Sequence, residues 1–224
     1  MALSEPAIES RQQVLKQLSM GLLRGAGRTG VRGNLLEIHH PQAPRFDPAF
    51  LHAASESRGV AISLSQGGQP GGGQRVSCQS AQLPFQDRVF SAVVLHHVVG
   101  DGLEAELAEA VRVLAHNGLL LVLGLNRMGW RYRTQDGIRR LPGIAPLRVK
   151  SRLEALGMTM QGFAGAGLGG RQRPVFLGAG LAGLAAPLAD LVLLQARRRD
   201  SPEVTPLQFR KSRPAVVQSA PMRG

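Results

Sequence analysis

The run Leu119–Leu125, LLLVLGL, constrains the fold of this chain more than any other stretch. A continuous apolar run of strand length is the mark of a strand covered on both faces, as in a parallel sheet flanked by helices. Just before it, LEAELAEAVRVL places Leu103, Leu107, Ala110, Val111 and Leu114 on one helical face, and Asn117-Gly118 stops that helix. Phe90–Leu95, FSAVVL, reads as a strong strand ahead of it. Strand, helix, strand is therefore the local unit.

The same alternation runs along most of the chain. Ser4–Met20 reads as a helix with a capping Ser, an early Pro and Ile8, Val14, Leu15 and Leu18 at helical spacing, broken by GLLRGAGRTGVRG. Asn34–Ile38 reads as a short buried strand, Asp47–Glu56 as a short helix, Val60–Leu64 as a strand and Arg75–Cys78 as a weak one. Arg127–Pro146 is a polar, basic connection. Leu147–Leu156 is a second helix closed by Gly157, and Met158–Phe163 and Leu191–Ala196 are the last strands. This pattern predicts a three-layer αβα fold, a mostly parallel sheet with helices on both faces. Ligands of such sheets bind beyond the carboxyl ends of the strands, where strand order reverses. The expected organisation is an N-terminal helix and linker (1–30), a domain at 31–197 and a basic, disordered tail at 198–224.

Charge bounds the partners. Lys and Arg total 27 against 15 Asp and Glu, a formal net charge of +12, which favours anions such as nucleic acid, acidic headgroups or phosphorylated substrates. One cysteine, Cys78, excludes an intrachain disulfide and a cysteine metal site. MALSEPAIES has no basic-then-apolar leader, which points to the cytoplasm. Pro174–Ala196 is apolar enough to weigh as a membrane span. Asp190 and Pro187 argue against one, in favour of a buried helix followed by a buried strand.

LPFQDRVFSAVVLHHVV followed by LAEAVRVLAHNGLLLVLGLNRMGW resembles the class I S-adenosylmethionine-dependent methyltransferases of the type 11 kind. Leu83-Pro84-Phe85, Asp87, Phe90, Arg112-Val113-Leu114 and Gly118 stand at that family's positions, and LLQARRR with TPLQFRKSRPAV resembles the ending of a bacterial subgroup. The match is good over Gln79–Arg213 and poor over Val31–Ser65. It implies a Rossmann-like methyltransferase fold with an antiparallel last strand, and S-adenosyl-L-methionine as cofactor.

The resemblance also implies a cofactor site, and here the sequence departs from the pattern. Glu37 fills the acidic position at the end of the first strand, but His39, Pro41 and Ala43 stand where Gly-x-Gly-x-Gly is expected. Glycine there allows positive φ and close backbone approach, whereas proline fixes φ and removes an N–H. No acidic residue follows the second strand, leaving Ser63 or Ser65 for the ribose hydroxyls. Gln79 replaces the Asp that accepts from the adenine amino group, and Ser91 replaces the Asp of the fourth strand. Expected cofactor contacts are Glu37, His39, Ser63, Gln79, Ser80, Leu83 and His96.

With this fold, His39-His40 and His96-His97 converge on one cleft. They are loop residues bonded to backbone or water, or a general base or orienting group in His96 or His97, or metal ligands; no carboxylate spacing accompanies the third reading. Eight basic residues from Arg127 to Arg152 oppose Asp136 alone among the acids up to that point, with Trp130 and Tyr132 interleaved, so an anionic acceptor, RNA included, is one expectation and a solvated loop the other. The function expected is methyl transfer to an unidentified acceptor. The alternative is an inactive methyltransferase-fold scaffold that binds through its arginine-rich lid and tail.

Overall fold

The structure, a computed structural model, describes residues 17–23, 33–40, 43, 59–63, 81–100, 103–129, 141–167, 175–178 and 189–198. The elements expected at 47–56 and 75–78, the Arg131–Arg140 part of the basic segment and the chain beyond 198 lie outside these residues.

The elements are β1 (Leu35–His39), β2 (Gly59–Ser63), β3 (Phe90–His96), α1 (Leu103–Val113), β4 (Leu114–Asn126), β5 (Gly143–Ile144), α2 (Pro146–Ala155), β6 (Met158–Ala166), β7 (Val175–Gly178) and β8 (Leu191–Arg198). Seven strands run β2-β1-β3-β4-β8-β6-β7 across one sheet, and the short β5 adds to β4 beyond the end of β3. β1, β2, β3, β4 and β5 pair in parallel, while β8 is antiparallel to both β4 and β6 and β7 is antiparallel to β6. The mostly parallel Rossmann-like sheet and its antiparallel last strand are as expected.

Each face of the sheet has its own apolar cluster. Leu36, Ile38, Val93, Leu95, Leu120, Val122, Val192 and Leu194 pack with Leu107 and Val111 of α1 and Val149 and Leu153 of α2. The alternate residues Ala92, Val94, Leu119, Leu121, Leu123, Leu191 and Leu193 pack with Leu18, Leu22 and Leu23. Period-two alternation thus explains why the Leu119–Leu125 part of β4 had to be apolar.

Several boundaries differ from the sequence reading. Residues 17–23 are helical, so the helix runs past Gly21, where a break was expected. The burial of Leu22 and Leu23 outweighs the cost of about 1 kcal/mol for a helical glycine. α1 ends at Val113 rather than at Asn117-Gly118; β4 begins at Leu114 and crosses a register shift opposite Phe90–Ala92, with Asn117 at φ 55°. The basic connection holds β5 at Gly143–Ile144, and the apolar piece after Pro174 opens as strand β7 instead of helix. β8 runs through Arg197 and Arg198, two residues past the strand end expected at Ala196.

The helix ends show local chemistry. Glu104 and Glu106 lie in the first turn of α1 and Arg112 in the last, matching the helix dipole. Arg198 Nη1 donates to the carbonyls of Val111 (2.9 Å) and Leu114 (2.7 Å), satisfying groups the helix leaves open. α2 starts with proline in its first turn, and Gly157 at φ 79° donates to the Glu154 carbonyl just past its end. Among the described residues, no helix is long and apolar enough to cross a membrane.

Candidate active site

Strand order reverses at β1: the chain goes outward to β2 on one side, then returns to β3 on the other. The carboxyl ends of β1 and β3 therefore flank the switch point. Their registers pair Glu37 with Val94 and His39 with His96, while Ser63 of β2 lies level with His39. Because Leu36, Ile38, Val93 and Leu95 face the α1–α2 side, Glu37, His39 and His96 share the opposite face.

The backbone closes around these side chains. His40 N–H donates to the His96 carbonyl at 3.0 Å and His97 N–H to the Leu123 carbonyl at 2.8 Å, so the ladder continues past both strand ends. The His40 carbonyl accepts from Ala43 N–H at 2.9 Å. That bond ties the chain just beyond β1 back on itself. Where a glycine-rich cradle is expected, the chain instead bonds to itself, and Ala43 is buried in the second apolar cluster.

All four histidines come together, as expected. The rings of His96 and His97 lie 4.8 Å apart and tilted by 43°, both fully buried. His39 and His40 are half-buried. Neither ring nitrogen of His97 has a hydrogen-bond partner among the described residues. His97 also sits at φ 55°, a conformation costing a non-glycine residue about 1 kcal/mol or more and concentrated at functional sites. Glu37, 4% exposed, places Oε1 3.6 Å from His96 Nδ1, just outside direct hydrogen-bond range.

Burial sets the protonation states. It pushes the Glu37 carboxyl up to about 7, against the pull of the His39 imidazole. It pushes His96 down to about 3, with His39 acting in the same direction. His97 falls well below the usual imidazole range through burial, then through His96 and His40; burial alone lowers His40. Near pH 7 the Glu37 carboxyl is thus close to half-protonated beside a neutral His96 imidazole, so the contact is not an ion pair.

The remaining site candidates separate. Gln79 and Ser80 lie outside the described residues, as does the Ser63 side chain. Leu83 is buried against α1, its N–H donating to Glu109 Oε1 (2.8 Å) and its carbonyl accepting from Arg112 Nη2 (3.1 Å). Arg112 also holds both Glu109 oxygens (2.8 and 2.6 Å) and the Asp87 carboxylate. This clamp on the segment ahead of β3 was missed from sequence, although Glu109 and Arg112, three apart on one helix, were its visible signal. Asn126 was missed as well: fully buried, it donates to the Ala189 carbonyl (2.7 Å) and accepts from Met128 N–H (3.0 Å), tying the end of β4 to the start of β8.

The donor set suits a cationic ligand. It offers one buried carboxyl and neutral imidazoles, and among the described residues it contains no group of three His, Cys, Asp or Glu arranged for a metal ion.

No family model matches the sequence, and a search of curated proteins gives no match. Solved structures do match in fold. An S-adenosylmethionine-dependent methyltransferase of Thermotoga maritima superposes with a TM-score of 0.56 at 12% identity, covering 86% of this chain and 96% of that one. Geranyl diphosphate C-methyltransferase of Streptomyces coelicolor A3(2), solved with Mg2+, geranyl diphosphate and S-adenosyl-L-homocysteine, gives 0.53 at 12% identity over 82% of this chain and 80% of that one. A geranyl diphosphate methyltransferase in complex with S-adenosylmethionine gives 0.52 at 12% identity, over 83% and 86%. The chain has the fold of class I S-adenosylmethionine-dependent methyltransferases.

Proposed function

We propose that this chain is an S-adenosylmethionine-dependent methyltransferase of the type 11 kind. One observation carries the reading: β1 and β3 lie side by side and parallel at the reversal of strand order, and bring a buried carboxyl and two neutral imidazoles to their carboxyl ends. When bound, the sulfonium supplies an activated methyl group, so the protein's task is to bind and align. Glu37 supplies countercharge. Ser63, level with His39 on β2, is assigned to the ribose hydroxyls, and Gln79 and Ser80 to the adenine. Leu83, fixed by Glu109 and Arg112, sets the path of the chain just after them.

His97 is assigned the proton of the acceptor. Its imidazole is neutral at physiological pH and its nitrogens have no partner among the described residues, so it can accept a hydrogen bond from a hydroxyl or amine. His96 packs against it and orients it. The basic stretch Arg127–Arg152 favours an anionic acceptor. A cytoplasmic location is part of the same reading.

Thermal-shift titration with S-adenosylmethionine and S-adenosylhomocysteine tests the function. Binding to the native state raises Tm by mass action, and a rise of several degrees at millimolar ligand is expected. No shift with either ligand would leave the chain a binding scaffold.

A further inference from the structure

We propose that Glu37 is a proton-linked counter-ion: it meets a sulfonium ligand as a carboxylate and reverts to the neutral acid when the cleft is empty or holds the uncharged thioether. The proposal rests on the function given above and names the residue that tells the cofactor from its product.

The surroundings of Glu37 carry it. Its side chain is 4% exposed, on a face flanked by apolar residues. β1 itself contributes His39, with His40 just beyond it; β3 contributes His96, with His97 just beyond. β2 presents Ala61 and Ser63 at the matching register, and the helical segment at 17–23 packs on this face with Leu18, Leu22 and Leu23. Among the described residues, the titratable groups brought to this site are therefore imidazoles, without a lysine or arginine. His96, with Nδ1 3.6 Å from Glu37 Oε1, is fully buried and would have to be charged without access to water in order to balance a carboxylate. An ionised Glu37 in a ligand-free site thus has only the pull of the half-buried His39 imidazole in its favour, which burial outweighs, and a positive ligand supplies a fixed counter-charge. The upward shift of the Glu37 carboxyl to about 7 agrees with that geometry.

Calorimetric titration of the wild-type chain at pH 7, in two buffers of different ionisation enthalpy, reads the protons released on binding. S-adenosylmethionine is expected to release about half a proton, and its Kd to fall about tenfold from pH 6 to pH 8, because only ionised Glu37 binds it well. S-adenosylhomocysteine, which lacks the sulfonium charge, is expected to release less than half as much and to bind with little pH dependence. Glu37→Gln is expected to abolish the release and flatten the pH profile. Equal release from both ligands, or binding without release, overturns the role of Glu37 and leaves the methyltransferase reading intact. Failure of both ligands to bind removes the two together. The comparison of ligands on the wild-type chain stands even if the variant does not fold.

Discussion

A carboxyl and two imidazoles buried side by side give the ligand-free protein a pH-dependent stability whose sign follows from their shifts. His96 and His97 have folded-state pKa values below the unfolded value, so below about 6.5 the unfolded chain binds protons that the folded one refuses, and stability falls with pH. Glu37 acts in the opposite sense. Raised from 4.5 to about 7, it makes the folded state the better proton binder in that window, and this contribution is lost as pH rises through 7. Together these groups set a maximum near pH 7. Thermal melts of the apo protein from pH 5 to 8.5 should locate it there, and Glu37→Gln should raise Tm at pH 8 relative to wild type, by an amount equivalent to about 3 kcal/mol at most. A variant that melts lower at pH 8 would show that ionised Glu37 is well solvated or paired. His97→Leu should lessen the loss on the acid side. A Tm gap between variant and wild type that stays constant from pH 6.5 to 5 would count against a neutral His97.

Two side chains outside the candidate site govern how elements are joined. Arg198 of β8 closes the end of α1 through two carbonyls, so Arg198→Ala should cost about 1–2 kcal/mol and speed amide exchange in the last turn of that helix. Exchange confined to β8 would indicate that the contact is idle. Arg112 secures Leu83 and Asp87 at one end of the approach to β3, while Arg88 N–H donates to the Arg112 carbonyl (3.0 Å) at the other. Arg112→Ala should therefore loosen 83–89 and open that segment to limited proteolysis, with the cut rate rising several-fold while β3 and β4 stay protected. Elements of this kind were readable where a local pattern repeats: LLLVLGL for β4, the apolar stripe for α1, Gly157 for the end of α2. β5 was not, because two residues carry no period. Nor was the strand start at Leu114, where pairing with Phe90 rather than local propensity sets the boundary. The meeting of the histidines followed from placing Asn34–Ile38 beside Phe90–Leu95. The closure between His40 and Ala43 and the positive φ of His97 depend on backbone bonds that no side-chain pattern encodes.

At the scale of the whole molecule, the two apolar faces of one sheet pose a question of cooperativity. α1 and α2 cover one face, and the helical residues Leu18, Leu22 and Leu23 pack on the other, although they precede β1 in the stretch read as an N-terminal helix and linker. If that segment is part of the folded core, a cavity beneath it should cost as much as one beneath α2. Leu22 and Leu153 are both fully buried, on opposite faces. Leu22→Ala and Leu153→Ala should each cost about 3 kcal/mol, and the double variant about the sum, because the sites share no partner across the sheet. Denaturant unfolding followed by fluorescence and circular dichroism should still show one coincident transition, since the strands that back both clusters are the same strands. A Leu22→Ala variant that melts in two steps, or loses under 1 kcal/mol, would show that residues 17–23 only rest on a sheet that is stable without them. The same outcome would weaken the candidate site, because the face they cover carries Glu37 and His96, and the low dielectric that raises the one pKa and lowers the other depends on that cover keeping water out.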